Sequence, residues 1–132
     1  MTAQQLRVAH RGGDRFDVAV RQHVVQVDQP VDDGGDDTGP TPTELFVASL
    51  ASCVAFYARR YLKRHDLPED GLSVSAEADM GSKPARVARM RVTVTLPEGV
   101  PEEKRQALLA VASHCTVHNT LEHAPEVRIE LA

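Results

Sequence analysis

The stretch Thr41-Pro42-Thr43-Glu44-Leu45-Phe46-Val47-Ala48-Ser49-Leu50-Ala51-Ser52-Cys53-Val54-Ala55-Phe56-Tyr57 decides the fold. Thr41 can cap a helix, Pro42 suits the first helical position, where a missing N–H costs nothing, and Glu44 at the third completes a capping box. The pattern predicts a helix from here to about Arg64, where His65-Asp66-Leu67-Pro68 stops it. At 1.5 Å per residue the rod is roughly 30 to 36 Å long. Leu45 to Tyr57 is almost continuously apolar or small, so the helix belongs inside the structure. A domain this small can hardly enclose such a rod, and a second chain is its natural cover. Arg59, Arg60, Lys63 and Arg64 suit the negative pole of the helix dipole.

On the amino-terminal side, Leu6 to Asp28 reads as two or three antiparallel strands. Phe16, Val18 and Val20 alternate with Asp17 and Ala19, and Val24, Val25 and Val27 add a β-branched run. Gly12-Gly13-Asp14 marks one turn, Arg21-Gln22-His23 a second, and Pro30 ends the segment. Val31 to Pro40, with Asp32, Asp33, Asp36 and Asp37, reads as a solvated acidic loop whose spacing does not match a calcium loop. On the carboxy-terminal side, Leu72, Val74, Ala76 and Ala78 predict one strand. Ala88, Met90, Val92, Val94 and Leu96 predict the next, across the turn Gly81-Ser82-Lys83-Pro84. Pro101 to Ala112 reads as a second helix with Leu108, Leu109 and Val111 as its apolar contribution. Ser113 can cap a short third helix, and Val127, Ile129 and Leu131 predict a final strand. The order describes an α+β protein in which sheets enclose a central helix.

The 132 residues allow one domain, 1–132. With 42% hydrophobic and 26% charged residues the composition is that of a soluble globular chain, and no run of twenty uncharged apolar residues suggests a membrane span. Met1 to His10 lacks the basic and apolar regions of a secretory leader, so a cytosolic, reducing location is expected. A net charge of −4 and 4% aromatics argue against nucleic acid as a partner. Two cysteines are too few for a disulfide framework but enough for one redox pair.

Cys53 lies mid-helix among small residues, as a narrow substrate channel would require, although a buried thiol is more often inert. Cys115 lies in Ser113-His114-Cys115-Thr116-Val117-His118-Asn119-Thr120-Leu121, where the start of a helix would favour its thiolate. Glu44 precedes Cys53 by nine residues, about 900° of helical rotation, so the two point to opposite faces. If both are functional, Glu44 serves the site of a neighbouring copy. His114, Cys115 and His118, with Cys53, also permit a metal reading, although their spacing is not that of a common zinc motif.

Gly39-Pro40-Thr41-Pro42-Thr43-Glu44-Leu45, the run ending at Cys53, and His114 to Leu121 together resemble the OsmC/Ohr family over nearly the whole chain. The resemblance implies an intertwined homodimer with antiparallel sheets wrapped around long central helices. It also implies a cysteine-based peroxidase acting on organic hydroperoxides, with no cofactor. Carried over by position, Cys53 matches the peroxide-attacking cysteine, Cys115 the resolving one, and Glu44 the glutamate that reaches the site. A dithiol, of lipoyl or other small type, is the reductant the resemblance implies. A buried thiolate needs a cation beside it. In the family that cation is an arginine from just after an early Gly-Gly turn or from the loop leading into the long helix. Here the loop Val31 to Pro40 contains no Arg and Gly12-Gly13 is followed by Asp14, so the resemblance implies Arg15, with Arg11 and Arg21 behind it. Thr116 and Asn119 stand where the family often has Pro and Arg. A non-catalytic dimer that binds a hydrophobic small molecule is the competing expectation.

Overall fold

The structure, a computed structural model, describes residues 4–132. The part of the leader expectation that rests on Met1–Ala3 lies outside them. The chain forms two compact units, one ending at Phe46 and one running Val47–Ala132.

In the first unit β1 (Leu6–Gly12), β2 (Arg15–Val20) and β3 (His23–Val27) form an antiparallel meander in the order β1-β2-β3. Val8 pairs with Val18 and Val18 with Val25, which gives the sheet one apolar face. Gly12 and Gly13 take positive φ angles of 108° and 55° at the first turn, a conformation that glycine adopts without a side-chain penalty. Beyond β3 the chain is organised by a fully buried carboxylate. Asp28 accepts hydrogen bonds from the N–H groups of Gln29 (2.7 Å), Asp36 (3.2 Å) and Thr38 (3.1 Å) and from the Thr38 hydroxyl (2.9 Å). Burial works against its ionisation, but these bonds outweigh that and hold Asp28 below the usual carboxylate range. A Cβ at Gly35 would lie 2.1 Å from the Gln29 carbonyl, so the loop closes only around glycine.

Helix α1 spans Pro42–Arg64. Its start is the expected capping box: the Thr41 N–H donates to Glu44 Oε1 at 2.8 Å, and the Glu44 N–H donates to Thr41 Oγ1 at 3.0 Å. Its end is a Schellman motif, with Asp66 at φ 53°, Asp66 N–H bonded to Lys63 O and Leu67 N–H to Leu62 O, and Pro68 following.

In the second unit β4 (Ser73–Gly81) and β5 (Arg86–Thr95) make an antiparallel hairpin. Its inner face, Val74, Met90, Val92 and Val94, packs on a core of Leu50, Val54, Ala58 and Leu62 from α1 with Val100, Leu108, Ala112 and Cys115. A bulge opposite Asp79 and Met80 shifts the alternation, so Ala88 is exposed and Val87 takes the half-buried side. Helix α2 (Glu102–Ala112) buries Leu108 and Ala112, one turn apart. Leu109 and Val111, expected in its apolar face, are 49% and 44% exposed. Helix α3 is Thr116–Glu122, capped by Cys115; Ser113 instead ends α2, where its N–H reaches Leu109 O.

The final strand expected at Val127, Ile129 and Leu131 is absent, and these side chains are 74%, 92% and 101% exposed. A strand exists only through its ladder with a neighbour. The alternating pattern supplies the side chains for one, but the segment joins neither sheet of the described chain.

Candidate functional site

Both cysteines are free thiols of the second unit. α1 carries Cys53 half-buried against the core, one residue before Val54, and the turn between α2 and α3 carries Cys115 fully into it. Cys115 sits at the N-cap, where its sulfur accepts the His118 N–H at 3.4 Å. The sequence favoured a depressed thiol there, and the structure reverses that. Burial pushes the Cys115 thiol up, and it outweighs the N–H groups of His118 and Val117 that pull it down. The neighbouring Cys53 thiol adds to the rise. The two thiols, from distant segments, thus share one apolar core, Cys115 within it and Cys53 packed against it.

Two side chains around this pair, Tyr57 and His118, had no catalytic reading in the sequence, the second entering it only as a metal candidate. Tyr57, one turn beyond Cys53, shares a 3.0 Å hydrogen bond with the Thr116 hydroxyl, beside Cys115. The tie crosses from α1 to α3, and nothing in the local sequence announces it. His118 places ring Nδ1 2.5 Å from the Ser113 carbonyl and Nε2 3.1 Å from Glu122 Oε1. Its partners are thus the neighbouring peptide and a carboxylate, and no group of three or more metal-ligating side chains occurs among the described residues. Beside them is a cavity of about 220 Å³ walled by Leu50 and Val54 of α1, Met90, Val92 and Val94 of β5, and Leu109 of α2. Ser113 and His118 form its polar edge.

The remaining expected residues belong to the first unit. Glu44 has its carboxylate in the capping box. The Arg15 guanidinium donates to the carbonyls of Gly12 (3.5 Å) and Arg11 (3.4 Å), across its own hairpin turn. Arg11 pairs with Asp17 at 2.7 Å, and Arg21 occupies the β2–β3 turn at φ 52°. In the second unit Arg59 pairs with Glu69 at 2.6 Å, while Arg60 lies over the rings of Phe56 and Tyr57, 5.4 and 4.8 Å from their centroids.

The family described as OsmC-like protein matches residues 34–130, a span that includes Glu44 and both cysteines. The chain belongs to the OsmC-like family. Solved structures with the same fold include a Psychrobacter arcticus protein named for an osmotic stress induced and detoxification response, at 21% identity and TM-score 0.82, covering 91% of this chain and 89% of that one. An OsmC-like protein from Mycoplasma pneumoniae shows 14% identity and TM-score 0.80, covering 93% and 89%. An organic hydroperoxide resistance protein from Elizabethkingia anophelis, crystallised with thiocyanate bound, shows 21% identity and TM-score 0.70, covering 93% and 91%. No curated protein matches the chain. The α+β architecture with antiparallel sheets is thus the OsmC-like fold.

Proposed function

We propose that this OsmC-like protein is a cysteine-based peroxidase that reduces organic hydroperoxides. The observation that carries the reading is that the Cys53 and Cys115 thiols, from distant segments, meet at one apolar core, where Cys53 adds to the rise of the Cys115 thiol. Cys53, the less buried of the two, attacks the outer oxygen of the O–O bond as a thiolate, which releases an alcohol and leaves a sulfenic acid. Cys115 condenses with it to a disulfide and water, and an external dithiol, of lipoyl or similar small type, exchanges the disulfide back to two thiols. The apolar cavity beside the pair suits the hydrocarbon part of such a substrate. Structural relatives named organic hydroperoxide resistance proteins support the reading.

The working unit in this reading is a homodimer in the cytoplasm. Phe46 and Phe56 on α1 are 43% and 56% exposed, a surface that a second copy would cover. Arg15 is the proposed cation for the Cys53 thiolate and Glu44 its acidic partner, each acting across that dimer. Steady-state consumption of cumene hydroperoxide with a dithiol tests the proposal: turnover is expected in the wild type and lost in Cys53→Ser. A wild type without turnover overturns it. The cavity also favours a second reading, a non-catalytic dimer that holds a hydrophobic small molecule. That reading requires ligand-dependent thermal stabilisation that persists in Cys53→Ser.

A further inference from the structure

We infer that His118 is the positioning residue of the resolving step, bracketing the turn that presents Cys115 to an oxidised Cys53. The inference rests on the peroxidase reading above. Cys115 occupies a short connection between Ser113, where α2 ends, and α3, whose last residue is Glu122. A helix of seven residues has too few internal bonds to hold itself in water, so contacts outside it fix the placement of its first turn. His118 supplies two of these and adds a third within α3. Its main-chain N–H donates to Cys115 Sγ at 3.4 Å. Ring Nδ1 lies 2.5 Å from the Ser113 carbonyl, and because a carbonyl only accepts, that nitrogen carries a hydrogen and donates. Ring Nε2 meets Glu122 Oε1 at 3.1 Å, an ion pair whenever the ring holds both protons. One side chain therefore ties the residue two places before Cys115 to the far end of α3.

The ring also edges the apolar cavity, where α1, β5 and α2 present Leu50, Val54, Met90, Val92, Val94 and Leu109 and no charge that competes for it. In the resolving step the Cys53–S–OH sulfur–oxygen bond breaks as the Cys115 sulfur bonds to Cys53. The Cys115 proton leaves with the oxygen as water, and no oxidant beyond the hydroperoxide already consumed is required. The rate of such a displacement depends on holding the entering sulfur in line behind the departing oxygen. The first step, attack of Cys53 on the hydroperoxide, forms no bond to the turn, although Ser113 and His118 edge the cavity beside it.

The test is a single turnover with one equivalent of cumene hydroperoxide, in which dimedone traps the sulfenic acid and mass spectrometry follows the disulfide. It compares wild type, His118→Ala, His118→Asn and Glu122→Ala. In His118→Ala the disulfide closes from the sulfenic acid about tenfold more slowly, a first-order step read separately from the rate at which hydroperoxide enters the cavity that His118 edges, equivalent to 1.4 kcal/mol of lost positioning. His118→Asn, whose amide can still donate to the Ser113 carbonyl, recovers most of that rate, and Glu122→Ala falls between. Two results overturn the inference alone: a wild type that passes through the sulfenic acid while His118→Ala closes as fast, or a loss in both steps that His118→Asn fails to restore. A wild type that never forms a sulfenic acid overturns the peroxidase reading itself and the inference with it.

Discussion

Glu44 has two candidate tasks, and two substitutions separate them. In the structure its carboxylate accepts the Thr41 N–H at 2.8 Å while its own N–H donates to the Thr41 hydroxyl at 3.0 Å. Thr41→Ala removes the capping hydroxyl and costs about 1 kcal/mol. For a chain of 132 residues that is roughly 4 °C in the unfolding midpoint. Glu44→Gln keeps a side-chain carbonyl at the third helical position, which also serves a capping box. It removes only a negative charge near the helix start, about 0.3 to 1 kcal/mol at an exposed position. If Glu44 acts in the peroxidase site as proposed, Glu44→Gln loses at least about tenfold in hydroperoxide turnover, more than 1.4 kcal/mol of transition-state stabilisation, with little change in midpoint. Thr41→Ala does the reverse, with its midpoint lowered and turnover within about twofold of wild type. The assays are thermal unfolding by circular dichroism and steady-state hydroperoxide consumption with a dithiol. Turnover in Glu44→Gln equal to wild type refutes the catalytic assignment and leaves Glu44 as a cap alone.

Other outcomes follow from the same coordinates. Leu62 is fully buried at the centre of the second unit's core, so Leu62→Ala destabilises by about 3 to 5 kcal/mol in urea unfolding. Leu121→Ala, at a site already 39% exposed, costs well under half of that; equal costs for the two would contradict the packing of α1. Asp28 is held below the usual carboxylate range, so its contribution to stability is fully present above that range and is lost as pH falls through its folded value. The midpoint of the wild type therefore falls in acid more steeply than that of Asp28→Asn, and parallel profiles would contradict the role given to this carboxylate.

What the sequence disclosed depended on whether the deciding interactions are local. The capping box at Thr41 and Glu44 and the stop at Asp66 to Pro68 involve residues within one turn of each other, and α1 begins and ends where they place it. The glycine turn after β1 and the hairpin of β4 and β5 were legible for the same reason. Ala88 shows the limit, since a single bulged residue reverses the faces beyond it without altering the apolar pattern. At Ser113 and Cys115 either residue can cap a helix, and packing decided between them, because Cys115 is fully buried there. Burial also reversed the expected acidity of Cys115, a consequence of tertiary surroundings that the helix-start pattern cannot register. The proximity of Cys53 to Cys115 was not derivable from spacing and entered only through family resemblance. The ties from Tyr57 to Thr116 and from His118 to Ser113 and Glu122 became visible only once the chain was folded. Val127 to Leu131 carries the alternation of a strand, but a strand depends on an edge to pair with, and its own sequence says nothing of that edge.

The measurement that bears most directly on the account is a peptide map of the native wild-type protein after one equivalent of cumene hydroperoxide. The expected product has lost two hydrogens and yields a single cross-linked pair of peptides containing Cys53 and Cys115, with one equivalent of cumyl alcohol released. Thiols that remain fully reduced, or oxygen retained on Cys53 while Cys115 stays free, would contradict it.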